Sequence, residues 1–434
     1  PADDLKKDET TDVNPPEDNP PADPKDPADE DPTDEPKAPE NALLLFDGKT
    51  YTFSIVREDA LSGGTCTEIR TMQNKIRVVC GSRSAPALMT DATEEGEFPE
   101  LLVGATNRAR SDAVADALGI VFCYRIEVSA DGITIFGTDS EETEKGVIAF
   151  YSDYLEKNTV TVGDRVYLSY GGMTGEERTP LLGDLAAIAA KRGLSVGCTS
   201  EKVFEMGKVA DYYTVLQGAC SDPTGRYLYI GAYRSKKSVL VKYDLQTGEQ
   251  LAINLESGTD HANDMCYYPK QDAIAVVHNT PNGEIISFFR ADTLEKISDK
   301  NLGFVTYSIA YIPGTEDEFF VGVSGGTDDF RRVKLLAETD EDFHVLRSFR
   351  QKATGFVHQG IDCDEKYIYF VQSGDNLGGN SVIVYDYNGT RVNILHIPGI
   401  RSEIENMFHV GKKLYMGFYT SPGGRVFTFT FTVG

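Results

Sequence analysis

The chain has 434 residues, 68 Asp plus Glu against 42 Lys plus Arg, a formal charge of −26 and no Trp. That length exceeds one ordinary core, so at least two domains are expected. The acidic balance excludes nucleic acid and disfavours an anionic membrane surface as partners, because phosphate binding needs a basic stripe that releases counterions. No apolar run approaches the roughly 18 residues that a membrane-spanning helix needs.

Residues 1–40 hold 15 acidic side chains, four Lys and ten of the 19 Pro. They cannot bury enough apolar surface to offset backbone entropy, and Pro with like charges keeps them extended. A disordered acidic linker that tethers folded domains away from a surface is expected there. The chain opens on Pro1 without Met or an apolar export segment, which is how a chain reads once its targeting signal is removed. An acidic Pro-rich spacer in that place resembles the stalk that follows the lipid-anchored cysteine of Gram-positive surface lipoproteins. The resemblance implies an extracellular protein, lipid-anchored at the cell surface.

Over 41–198 the hydrophobic period switches between two and about 3.6, as strands alternating with helices do. Tyr51 to Arg57 reads as a strand, and Ile69, Met72, Ile76 and Val79 fall at helical spacing. Glu100 to Gly104 is a short strand ahead of a helix through Val114 and Leu118. Val121 to Val128 and Ile133 to Phe136 predict a hairpin across Ala130-Asp131-Gly132, whose Asp-Gly is a strong turn signal. Val147, Ile148, Tyr151, Tyr154 and Leu155 mark one stripe of a helix starting near Asp139-Ser140, and a helical connector follows around Pro180 to Ala190.

In this order Leu102-Val103-Gly104-Ala105-Thr106-Asn107-Arg108 ends a strand and Ser140-Glu141-Glu142-Thr143 opens a helix. It resembles the small accessory domain that precedes the catalytic barrel in several glycoside hydrolase families. There the domain is a companion and not the catalyst, and no remaining stretch here fits a (β/α)8 barrel of about 250 residues. The resemblance implies a glycan-related setting and transfers no catalytic residue.

Residues 199–434 repeat themselves. Gln217-Gly218-Ala219-Cys220, Asn263-Asp264-Met265-Cys266, Tyr307-Ser308-Ile309-Ala310, Gln359-Gly360-Ile361-Asp362 and Glu405-Asn406-Met407-Phe408 start 46, 44, 52 and 46 residues apart. Each is followed by a second and a third strand, Tyr227 to Gly231 and Val239 to Tyr243 in the first unit, and turns such as Gln246-Thr247-Gly248 close onto a fourth. Five such units predict a five-bladed β-propeller, because one blade cannot bury both faces alone and a closed ring leaves few sheet edges. The last unit ends in its third strand, and Val203 to Val209 is placed to supply the missing one. The expected fold is therefore multidomain, α/β plus all-β: a small α/β sandwich module followed by a five-bladed propeller, as a monomer.

The register places Gln217, Asn263, Tyr307, Gln359 and Glu405 at one position of the innermost strands, around the channel. His261 and Glu403 lie two places earlier, and His358 one place earlier. Polar groups converging on a channel mouth form a ligand site, or else satisfy one another and ordered waters; the residues alone leave both readings open. His261, His358 and Glu405 also have the residue types of an acid/base set. Two carboxylates among Asp264, Asp362, Glu403 and Glu405 would suit a glycosidase, although Asp264 and Asp362 are expected to point between blades.

His261-Ala262-Asn263-Asp264-Met265, Gln359-Gly360-Ile361-Asp362 and Glu403-Ile404-Glu405-Asn406 resemble strings in exported Firmicute propellers, including helveticin-type bacteriocins and teichoic acid biosynthesis C proteins. That resemblance implies a cell-envelope role and names no reaction. The seven Cys are spread singly without a C-x-x-C pair, so a zinc ribbon or thioredoxin-like site has no support. Cys220 and Cys266, at one register position, are the pair to test for a disulfide.

Gly322-Val323-Ser324-Gly325-Gly326 matches G-x-S-x-G, but a hairpin follows where a nucleophile elbow needs a helix. Asp375-Asn376-Leu377-Gly378-Gly379-Asn380 offers oxygen ligands for a calcium ion, with a plain turn as the simpler reading, and no other cofactor or metal is indicated. Tyr212, Tyr213, Tyr233, Tyr307 and Tyr419 are available for sugar stacking. The favoured function is non-catalytic binding of a glycan or cell-wall polymer through the channel mouth. A glycoside hydrolase or polysaccharide lyase at the same site, and a protein-binding scaffold, are the alternatives.

Overall fold

A computed structural model describes residues 37–434 except 97, 211–214, 236, 280, 324–328, 337–341, 353, 375–378 and 421–422. Nearly all of the expected linker, Tyr212, Tyr213, Ser324 of the G-x-S-x-G string and most of the expected calcium loop lie outside the described residues.

Ser54–Arg57, Glu100–Val103 and Gly132–Gly137 run parallel in a six-stranded sheet. Leu88–Thr90 adds to one side in parallel, and Tyr124–Ser129 and Gly171–Thr174 add antiparallel on the other. Ile55, Leu101, Val103, Ile133 and Ile135 are buried with Ile69, Met72 and Ile76 of helix α1 (Gly63–Val79), the stripe its spacing predicts. The Ser62 hydroxyl opens α1 by accepting the Thr65 N–H at 3.1 Å. In α2 (Ala109–Leu118), Val114 and Leu118 join Cys123 and Phe136 in a separate cluster, because Phe136 alternates away from Ile135.

α3 (Ser140–Ala149) starts at Asp139, whose carboxylate accepts the Glu142 N–H at 2.9 Å, and continues through a π-helical turn (Phe150–Tyr154) into α4 (Leu155–Asn158). The hairpin across Asp131-Gly132 forms as expected, with its first strand beginning at Tyr124. Ala42–Phe46, Thr159–Val162 and Arg165–Ser169 make a further three-stranded sheet, each run too short to establish a period in sequence. The connector is α5 (Leu182–Arg192): the Asp184 carboxylate accepts the Leu181 N–H at 3.0 Å at its start, and Gly193 ends it at φ 65°.

Beyond α5 the described residues form five four-stranded antiparallel sheets. Their inner strands are Val215–Ser221, Asp264–Tyr268, Thr306–Tyr311, Val357–Cys363 and Ile404–Val410, in the first to the fifth sheet. Each inner strand touches the next and the fifth touches the first, so the sheets close into a β-propeller-like ring. Ala273–Val277, the second strand of its sheet, is buried along its whole length because neighbouring sheets cover both faces, whereas the outer strand Lys296–Asn301 is largely exposed.

The fifth sheet takes its outer strand from Val196–Met206, which runs antiparallel to Gly424–Val433 with Val196 opposite Val433 and Met206 opposite Gly424. This joins the two ends of the array as the repeat requires, using an earlier stretch than Val203 to Val209. No described helix is long and apolar enough to cross a membrane.

Candidate functional site

The inner strands carry their aligned polar residues at irregularities in pairing. Register slips between Leu216 and Ala219, Thr306 and Ser308, His358 and Ile361, and Ile404 and Asn406. Gln217, Tyr307, Gln359 and Glu405 fall within those slips, and Asn263 stands directly ahead of Asp264–Tyr268. A bulge residue leaves the ladder and is re-aimed, so it escapes the period-two burial of its strand.

Asn263, Tyr307, Gln359 and the residues beside them make contacts from sheet to sheet. Asn263 Nδ2 donates to the Tyr307 carbonyl at 2.7 Å, while its Oδ1 lies 3.0 Å from His261 Nδ1 and accepts from Asn279 Nδ2 at 3.1 Å. The Tyr307 and His358 rings are 5.3 Å apart, and the Tyr233 ring is 4.2 Å from that of His261. Gln359 Nε2 donates to Glu403 Oε1 at 2.6 Å. Among the described residues Gln217 Nε2 reaches only its neighbour's carbonyl, Leu216 O, at 3.2 Å. Tyr419 is half-buried.

Glu405 is 4 % exposed, and its carboxyl makes no hydrogen bond among the described residues. Burial, and then the charge of Glu403, hold its pKa well above the usual carboxylate range. Burial pulls the His261 pKa down against the hydrogen bond that its Nδ1 donates to Asn263 Oδ1, which leaves a neutral imidazole at that end.

One register position further along, the channel is plugged. Asp264 Oδ2 accepts the Ile309 and Ile361 N–H groups at 3.1 Å each, from the third and fourth sheets. Inner strands expose unpaired N–H groups along the channel, and this carboxylate satisfies two of them. Asp264 therefore reaches across the channel and does not point between blades, which corrects the expectation for it. Asn406 Nδ2 donates to the Ala219 carbonyl at 2.8 Å and ties the fifth sheet to the first. A Cβ at Gly360 would meet Asn406 Cα at 2.8 Å, so only glycine fits beside the plug.

Past the plug the opposite mouth opens into a cavity of about 480 Å³, which sequence reasoning missed. Met265, Ile309, Ile361 and Met407 form its apolar lining, with Cys220, Cys266 and Cys363 beside them. The signal was present in the register, where Ala219, Met265, Ile309, Ile361 and Met407 share one all-apolar position. Asp362 does bridge neighbouring sheets, through its hydrogen bond with His409 Nδ1. All seven cysteines are free thiols, so Cys220 and Cys266 are not bridged. Among the described residues, no group of three or more His, Cys, Asp or Glu is arranged to hold a metal ion.

Neither a family model nor a curated protein matches the chain. Among solved structures it is similar to Kuenenia stuttgartiensis hydrazine synthase, at 12% identity and TM-score 0.32 over 47% of this chain and 61% of that one, less than two thirds of its length. It is similar to a chain of a nidogen/laminin complex at 12% identity and TM-score 0.34, over 51% of this chain and 85% of that one. A calcium-binding protein, regucalcin from Agrobacterium tumefaciens str. C58, shows 16% identity and TM-score 0.34 over 54% of this chain and 96% of that one. At these identities no residue role passes from them to this chain.

Proposed function

We propose that the polar mouth binds a glycan or cell-envelope polymer without turning it over. The observation that carries this reading is the recurrence of a pairing slip at the polar position in four of the five inner strands. A bulge repeated around a ring at one height is a built feature of the kind found beside binding sites. Sugar hydroxyls both donate and accept, and the mouth offers both: the amide N–H groups of Asn263 and Gln359 as donors, and the Glu403 carboxylate as acceptor. Exposed Phe356 and Val357 flank these groups with apolar surface that a sugar face can cover.

Around this site the ring is read as a five-bladed propeller over 199–434, and residues 41–198 as an accessory-like companion that transfers no catalytic residue. Residues 1–40 are read as an acidic stalk at a Gram-positive cell surface, supported by their composition alone. A glycoside hydrolase or polysaccharide lyase is the second reading. It is favoured by the electrostatic coupling of Glu403 and Glu405, with Glu405 as acid and His261 or His358 as its partner.

Thermal unfolding of the full chain against bacterial-wall, host and plant glycans tests the proposal. A ligand at 100 times its Kd adds about 2.7 kcal/mol, a shift of several degrees. That shift is expected in the wild type and lost in Gln359→Ala and in Asn263→Ala/Glu405→Ala. Equal shifts in all three proteins, or none in any, defeat the proposal. New reducing or unsaturated ends in the same mixtures, absent with Glu405→Gln, would replace binding by catalysis.

A further inference from the structure

We propose that the cavity at the mouth opposite the polar ring is a second ligand site, built for a small molecule with an apolar body and one carboxylate head. It stands apart from the polar mouth because the Asp264 and Asn406 contacts close the channel between them. Its volume, about 480 Å³, is that of a small-molecule pocket, and such pockets are mostly apolar with few converging polar groups.

The body of the ligand would lie on Met265, Ile309, Ile361 and Met407. Met side chains adapt to irregular apolar shapes, which suits a flexible chain. Burial pushes the pKa of the neighbouring Cys220, Cys266 and Cys363 thiols up, so they line the site as neutral, unreactive groups.

The head would meet His409. Its Nδ1 is bound by Asp362, and no hydrogen bond to its Nε2 is found among the described residues. Burial alone would lower the His409 pKa, but the charge and hydrogen bond of Asp362 outweigh it and raise the pKa above the ordinary histidine value. With Nδ1 bound to Asp362, Nε2 is the ring nitrogen left for a ligand, and in the imidazolium form it donates. Lys412, on the same rim, spends one N–H on the Thr179 carbonyl at 2.6 Å, and no partner for the others is found among the described residues. The remaining charged groups do not compete: Asp362 is committed to His409, and Asp364 accepts from the Tyr369 hydroxyl and from the Lys366 and Tyr367 N–H groups. Glu365 is exposed to solvent.

Octanoate and 1-octanol, titrated calorimetrically into the full chain, separate the head from the body. Octanoate is expected to bind at one site about tenfold more tightly than 1-octanol, the worth of a charge-assisted hydrogen bond. His409→Gln should bring the two ligands to the same affinity. Met407→Trp should abolish binding of both while leaving any glycan response at the polar mouth intact. In wild-type protein with labelled histidines, the His409 ring resonance should move on octanoate saturation, a readout that needs no variant to fold. Absence of octanoate binding, equal affinity for the two ligands, an unmoved His409 resonance, or wild-type binding by folded Met407→Trp would each overturn the proposal.

Discussion

Glu405 illustrates how a single position changes meaning once it is folded. Sequence places it in a row with Gln217, Asn263, Tyr307 and Gln359; in the structure Asn263 reaches the Tyr307 carbonyl and Gln359 reaches Glu403, while Gln217 turns to the Leu216 carbonyl. Its raised pKa was not legible, because it depends on burial and on Glu403, and neither is a property of the local string. The raised folded pKa has a defined sign. Stability from the protonated group is fully present below the unfolded value of 4.5 and is lost as pH rises through the folded value. Melting temperatures of wild type and Glu405→Gln should therefore coincide in acid and diverge above pH 4.5, with the variant the more stable, until the folded pKa is passed. A difference that stays constant with pH would mean that Glu405 ionises as a solvated carboxylate. His261 contributes in the opposite sense: its lowered pKa gives stability present above 6.5 and lost as pH falls through the folded value, and it cancels when these two proteins are compared.

At the scale of elements, α5 shows what periodicity reads and what it does not. Its helical stretch was legible from residues around Pro180 to Ala190, whereas its seat on the fourth sheet was not. Gly183 N–H donates to the Tyr369 hydroxyl at 3.0 Å, and the Tyr367 hydroxyl donates to Asp184 Oδ1 at 3.2 Å, partners far along the chain. Arg178 ties the same helix start to α3, with Asp184 at 2.6 Å, Glu142 at 3.0 Å and Asp139 also bound, and Lys366 reaches Glu141 from the fourth sheet. The close approach demands a glycine, since a Cβ at Gly183 would stand 2.1 Å from the Tyr367 ring. Gly183→Ala is expected to destabilise the protein by about 1–3 kcal/mol through overpacking. Adding Tyr367→Ala should recover part of that loss in a double-mutant cycle. Independent, additive effects of the two substitutions would show that the helix does not rest on this ring.

For the whole molecule, closure is the decisive event. Each sheet needs a neighbour on both faces, and the last gap is filled by pairing Val196–Met206 with Gly424–Val433. A chain ending at residue 423 loses Val426, Phe429 and Val433 from buried positions. At about 2–5 kcal/mol for each large buried side chain, the melting temperature should fall by on the order of 10 °C or more. Hydrogen exchange should rise in the first sheet as well as in the fifth; protection lost from the fifth sheet alone would mean that the sheets do not depend on closure. The sequence by itself determined the repeat, the turns, the helix start near Asp139, the row of polar residues and the need for a strand from upstream, because neighbouring residues carry periods and turn chemistry. Tertiary structure decided which residues sit in the bulges, that Asp264 plugs the channel, and that an apolar cavity lies on its far side. Those features are set by backbones from different sheets approaching one another, and their distances exist only once the ring has closed.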